Sequence, residues 1–277
     1  MAVITVASGR CWQYSHYVGR QQTAGTGFSA PIGVALGKDD TLYVASRNNP
    51  RVTKATVGQE FIKEFGRGIP EQVGAPFPSR HMWLTAVVLD KDENVYVADE
   101  WHNSIMVYNS DGDILTNWGE QGDGEGKLNR PSGMVFDADD NLWIVNSVNS
   151  RIQKFTKEGK YLESFGKKGN GPDELDMPWG ITIDDDGEIY IADWNNHRVQ
   201  KFSPDGNLLA TFGHGGSGPG SLRHPTGVCV DGDGDVYVVD WMNERIAIYN
   251  SDAMPIAYLK GDAVDVSAWG QMSLDAN

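Results

Sequence analysis

The stretch Pro178-Trp179-Gly180-Ile181-Thr182-Ile183-Asp184, continued by Ile189-Tyr190-Ile191-Ala192-Asp193 and Asn196-His197-Arg198-Val199-Gln200-Lys201-Phe202, decides the fold of this chain. Three short runs rich in β-branched and aromatic residues stand here, separated by the polar turn Asp185–Glu188 and a loop opening on Trp194. A fourth run leads to Phe212-Gly213. Runs this short, bounded by turn-forming residues, read as strands, and no helix-length 3.6-residue period occurs anywhere.

The same unit recurs outward from this stretch. Asp90, Asp137, Asp184 and Asp231 follow one another at intervals of 47 residues, each closing an apolar run and opening a polar turn. Second runs follow at Val95–Ala98, Leu142–Val145, Ile189–Ala192 and Val236–Val239, and third runs at Ile105–Tyr108, Ile152–Phe155, Val199–Phe202 and Ile246–Tyr249. Pro31–Gly66 carries the pattern once more, with the extra length of this unit in the Arg67–Arg80 connection. A four-stranded unit cannot bury both of its faces alone. Radial stacking buries them and leaves only short edges, which predicts a β-propeller.

The two ends supply a further unit. Trp269–Asn277 matches Trp179–Gly187, a first strand entering its turn, and Ala2–Ala7 matches Gly187–Ala192, a second strand leaving it. Arg10–Tyr14 and Ser15–Gly19 follow as strands three and four. The expectation is therefore one all-β domain over residues 1–277: a six-bladed β-propeller of four-stranded antiparallel blades, its last blade closed by three N-terminal strands and one C-terminal strand. Such a closure ties the ring with hydrogen bonds and removes open edges.

In one register the units read Pro-x-Gly, four apolar residues, Asp; then Tyr-[Val/Ile]-Ala-Asp; then Asn-x-Arg-[Ile/Val]. This pattern resembles the NHL repeat family of six-bladed propellers over essentially the whole chain. The resemblance implies a fold rather than a function, because that family includes binding modules, sensor domains and enzymes. The repeats also resemble those of the peptidyl-hydroxyglycine amidating lyases, where zinc histidines follow the proline that opens each innermost strand. Ile32, Thr85, Ser132, Trp179, Thr226 and Trp269 stand there instead, so that zinc site is missing and no metal or cofactor is expected. Arg47 matches the lyase arginine in one loop, while the lyase tyrosine is replaced by Trp101, Asn195 or Met242.

Composition narrows the partners. The 38 acidic residues outnumber the 23 basic ones, a net charge of −15, which argues against nucleic-acid and membrane-surface partners. No apolar run reaches membrane-span length, and the start lacks the pattern of a signal peptide, so a soluble, monomeric, cytoplasmic protein is expected. Cys11 and Cys229 allow at most one bridge.

The two faces of the ring differ in chemistry. The turns between strands one and two, on the lower face, concentrate carboxylates from Asp39 to Asp275. Asp231-Gly232-Asp233-Gly234-Asp235 resembles the start of a calcium loop, but Met242 stands where its closing glutamate would be, and tight-turn chemistry explains it. The loops between strands two and three and the blade connections, on the upper face, collect tryptophan, arginine and histidine. Ligand-binding candidates are Trp83, Trp101, His102, Arg130, Asn146, Trp179, Trp194, Arg223, Trp241 and Trp269, and catalytic candidates are Arg47, Arg80, His81 and His224. A ring of such residues suits a small organic molecule or peptide end with an anionic or carbonyl group, with lyase or hydrolase chemistry as the enzymatic reading. Loop tryptophans that only cover neighbouring blades, or that bind a protein partner without catalysis, are the alternatives. Asp193–Arg198 and Asp240–Arg245 recur with the repeat and are read as architectural pairs.

Overall fold

The computed structural model describes residues 4–7, 10–13, 27–66 and 82–260. Strands β1 (Ile4–Ala7) and β2 (Arg10–Gln13) form a two-stranded antiparallel sheet. Five four-stranded antiparallel blades follow. The first comprises β3 (Pro31–Leu36), β4 (Thr41–Ser46), β5 (Arg51–Thr56) and β6 (Phe61–Phe65). The second comprises β7 (Leu84–Leu89), β8 (Val95–Asp99), β9 (Ser104–Tyr108) and β10 (Ile114–Trp118). The third comprises β11 (Pro131–Phe136), β12 (Leu142–Asn146), β13 (Arg151–Phe155) and β14 (Tyr161–Phe165). After the short parallel pair β15 (Lys167–Lys168) and β16 (Glu174–Leu175), the fourth comprises β17 (Pro178–Ile183), β18 (Ile189–Asp193), β19 (Arg198–Phe202) and β20 (Leu208–Phe212). The fifth comprises β21 (Pro225–Val230), β22 (Val236–Asp240), β23 (Arg245–Tyr249) and β24 (Pro255–Leu259).

The expectation of six blades is corrected to this extent: five complete blades are present among the described residues. β1 and β2 pair as the expected strands two and three of a sixth, and β1 lies against β24 of the fifth blade. The remaining strands expected for that unit, at Ser15–Gly19 and Trp269–Asn277, lie outside the described residues, as does the Arg67–Arg80 connection. The physical difference is that five blades are closed by local hairpins, whereas a sixth has to join segments from opposite ends of the chain. Among the described residues, no helix is long and apolar enough to cross a membrane.

The core lies between blades rather than within them. Alternate residues of β8 serve different layers: Val95 and Val97 pack with the first blade, Tyr96 and Ala98 with the third. Period-two geometry makes this unavoidable, since successive side chains leave a strand on opposite faces. Outer aromatic contacts repeat with the blades. Phe65 meets Tyr108 at 5.3 Å between ring centroids, Trp118 meets Phe155 at 5.2 Å, and Phe165 meets Phe202 at 5.1 Å.

The recurrent aspartates prove to be turn formers. Asp184 Oδ1 accepts the backbone N–H groups of Asp186 (3.1 Å) and Glu188 (2.8 Å), while Oδ2 accepts the Tyr190 hydroxyl at 3.1 Å. Asp231 does the same with Asp233, Asp235 and Tyr237. One carboxylate thus shapes the turn and anchors the aromatic residue of the next strand.

The Pro-x-Gly glycine also has a spatial cause. A Cβ on Gly133 would sit 2.6 Å from the carbonyl oxygen of Trp179, and one on Gly180 would sit 2.6 Å from that of Thr226. Innermost strands of neighbouring blades therefore approach backbone to backbone around the central channel.

Candidate functional site

On the upper face, one repeat position supplies Arg47, Glu100, Ser147, Trp194 and Trp241, each following the last residue of its blade's second strand. The residue preceding each innermost strand supplies Ala30, Trp83, Arg130, Met177 and His224. The backbone ties the two positions within a blade: Glu100 N–H donates to Trp83 C=O at 3.0 Å, and Arg47 N–H to Ala30 C=O at 2.9 Å. The side chain then reaches the next blade. Glu100 meets Arg130, Trp194 meets His224, and Arg47 meets Trp83.

These contacts divide the mouth into a charged half and an aromatic half. In the charged half, the Glu100 carboxylate is nearly fully buried and receives two guanidinium groups. Arg47 bonds one oxygen, and Arg130 donates to the other from Nη2 at 3.1 Å and Nε at 3.3 Å. Two cations on one carboxylate leave one unit of positive charge in excess. Arg130 carries it outward, with its side chain 45% exposed. The Arg47 guanidinium lies 4.8 Å from the Trp83 ring centroid, and Trp83 meets Trp101 edge-on at 5.8 Å. Trp83 is 45% exposed and Trp101 57% exposed. Large aromatic faces left in water beside a guanidinium are suited to an organic anion. His102 is held inward by Asp99, with 2.6 Å between Nδ1 and Oδ2.

In the aromatic half, the Trp194 and His224 rings lie 4.2 Å apart, Trp194 stacks on Trp241 at 6.3 Å, and His197 meets His224 edge-on at 4.4 Å. The His224 backbone N–H donates to His197 Nδ1 at 3.1 Å. Burial, with the neighbouring His197 adding to it, holds the His224 imidazole below its ordinary pKa, so the ring is neutral at pH 7.

The remaining described candidates lie outside these two clusters. Asn146 is buried, accepting the Asn129 N–H at 2.8 Å and donating to Lys127 C=O at 2.8 Å. Trp179 is half-buried, and its carbonyl accepts the Ser132 hydroxyl at 2.8 Å. The Arg223 side chain is exposed, while its backbone N–H donates to Asp240 Oδ1 at 2.6 Å. Arg80, His81 and Trp269 lie outside the described residues. The recurrent pairs form as read: Arg198 Nε donates to Asp193 at 2.9 Å and Arg245 Nε to Asp240 at 2.7 Å. Their outer nitrogens bond the Glu174 and Ser221 carbonyls, which ties each loop to a blade connection. Burial pushes the Asp193 carboxyl up even against Arg198 and its hydrogen bonds.

Glu100 and His197 are the site residues that sequence reasoning passed over. The signal for Glu100 was its column, since it occupies the repeat position of Arg47, Trp194 and Trp241. Among the described residues, no three His, Cys, Asp or Glu side chains are grouped to hold a metal.

Residues 128–155, 175–202 and 222–249 match the NHL repeat model. The chain is a β-propeller, and three of its units match that repeat. No curated protein matches the sequence. Solved structures similar to this propeller include a streptogramin B lyase, at 16% identity and a TM-score of 0.60, covering 85% of this chain and 70% of that one. A catalytically inactive virginiamycin B lyase from Staphylococcus aureus, solved with quinupristin, is similar at 15% identity and a TM-score of 0.62, covering 87% and 73% of the two chains. A chain of a nidogen/laminin complex is similar at 17% identity and a TM-score of 0.64, covering 89% and 86%. At these identities the likeness is one of fold.

Proposed function

We propose that the upper mouth of this NHL propeller binds a small organic molecule or peptide end bearing an anionic group. The carrying observation is the Arg47–Glu100–Arg130 cluster beside the exposed Trp83 and Trp101. The excess positive charge selects the anion, and the indole faces take its apolar body at low entropic cost. The lyases among the fold neighbours make bond cleavage by a lyase or hydrolase the enzymatic form of this reading. In the same reading the ring has six blades formed by one domain, the last closed by both chain ends. The protein works as a cytoplasmic monomer whose net charge of −15 keeps nucleic acids and anionic membranes away.

The test compares indole-3-acetate with indole-3-acetamide by calorimetry. Tighter binding of the carboxylate, lost in Arg130→Ala and weakened in Trp83→Ala, is the expected result. Equal affinities for acid and amide would sink the proposal.

A second reading rests on the aromatic half, where the Trp194–Trp241 stack lies beside Met242, itself 41% exposed. There the propeller is a non-catalytic protein-interaction scaffold, as suits a fold also found in a nidogen/laminin complex. Its mark is a partner retained by the wild type and lost on Trp194→Ala or Trp241→Ala.

A further inference from the structure

The innermost strands, described for five blades, change character from the upper to the lower end of the central channel. Near the top, Ile32, Thr85, Ser132 and Thr226 are buried. Two of their hydroxyls bridge neighbouring blades: Thr85 donates to Pro131 C=O and Ser132 to Trp179 C=O, both at 2.8 Å. Lower down the same innermost strands, Leu36, Val88, Leu89, Val135, Phe136 and Ile183 are partly exposed. They wall a chamber of about 580 Å³, within the volume range of small-molecule sites.

The chamber's rim carries Asp184, Asp185, Asp186, Asp231 and Asp233, and among the described residues no basic side chain lines it. Lys38 and Lys91, in the turns of the same face, donate to the Lys91 and Ala138 backbone carbonyls, and three further lysines are paired with carboxylates. Lys154 bonds Asp137 at 3.1 Å, Lys157 bonds Asp140 at 3.0 Å, and Lys201 reaches Asp184 and Glu188. Asp185 and Asp186 are exposed and take part in no salt bridge among the described residues.

From this arrangement we infer that the lower chamber is a second binding site, distinct from the upper mouth, whose ligand is an amine with an apolar alkyl or aryl tail. The tail enters the chamber and is desolvated by its apolar walls, while the ammonium stays at the carboxylate rim in contact with water. An anion of the same shape is repelled by the rim, and a neutral one gains only the apolar contribution.

Calorimetric titration with 4-phenylbutylamine, 4-phenylbutan-1-ol and 4-phenylbutyrate tests the inference at low salt. The amine is expected to bind roughly fivefold or more tightly than the alcohol, the carboxylate not at all, and the difference to shrink at high salt. Asp185→Asn combined with Asp186→Asn, which leaves the turn-forming Asp184 in place, brings the amine down to the alcohol's affinity. Val135→Phe narrows the chamber and weakens both.

Because that last variant alters the core, an independent readout uses Cys229, a buried thiol that lines the chamber. In a Cys11→Ser background, 4-phenylbutylamine slows alkylation of Cys229 by N-ethylmaleimide. Equal binding of amine and alcohol, absence of binding heat, unaltered Cys229 alkylation, or loss of amine binding on Arg130→Ala would each overturn the inference.

Discussion

His224 Nδ1 lies 3.1 Å from the carbonyl oxygen of Trp194, 30 residues earlier in the chain, with the two rings 4.2 Å apart. Glu100 and Arg130, also 30 residues apart, occupy the same two repeat positions and form an ion pair instead. One geometric relationship between consecutive blades is thus filled with aromatic chemistry on one side of the mouth and ionic chemistry on the other. A repeat fold allows this because backbone ties hold the positions while the side chains vary.

Removing Glu100 tests the ionic version. Glu100→Ala leaves Arg47 and Arg130 repelling each other without their shared carboxylate. Both retain access to water, so the cost is moderate, about 1–3 kcal/mol in urea unfolding. A double-mutant cycle with Arg130→Ala is expected to return a coupling well above that of an exposed surface pair.

The aromatic version is pH-sensitive. The folded-state pKa of His224 is depressed, so its neutral form contributes stability that is complete above the ordinary value of 6.5 and is lost as pH falls through the folded value. The melting temperature of the wild type should therefore drop more between pH 7 and pH 5 than that of His224→Gln. Parallel curves would show that protonation of this ring does not oppose folding.

Arg198 and Arg151 occupy one repeat position with different partners. Arg198 faces the buried carboxylate of Asp193, whereas Arg151 stands across from the neutral Asn146. Arg198→Ala strands a buried charge and should cost about 3–5 kcal/mol. Arg151→Ala loses only hydrogen bonds to the Gly124 and Lys127 carbonyls and should cost about 1 kcal/mol. Chemical denaturation of the two variants gives the comparison directly.

The close approach of the innermost strands predicts a further contrast. Gly180→Ala places a methyl group against the Thr226 carbonyl and should destabilise the protein by about 1–3 kcal/mol. Gly232→Ala meets nothing within 4 Å and has no positive φ, so it should fall within about 0.5 kcal/mol of the wild type. Equal losses would mean that the channel wall yields where the backbones meet.

Period-two runs of apolar residues, repeated with a 47-residue interval and punctuated by Asp and Gly, determined the propeller and the four-stranded antiparallel blade from sequence alone. The same repeat marked Asp193–Arg198 as architecture, because the pair recurs at the same place as Asp240–Arg245. Sequence could also sort residues onto an upper and a lower face, since strand order fixes where every loop emerges. It could not show which loop residues meet. Glu100 draws in Arg47 and Arg130, and Trp194 draws in His224, through contacts between neighbouring blades, and those depend on how far each blade is rotated against the next. The shape of the channel was likewise decided only in three dimensions. The Thr85 and Ser132 hydroxyls, at one repeat position, bridge neighbouring blades near its upper end, and the apolar residues further along the same strands wall a chamber on the acidic face.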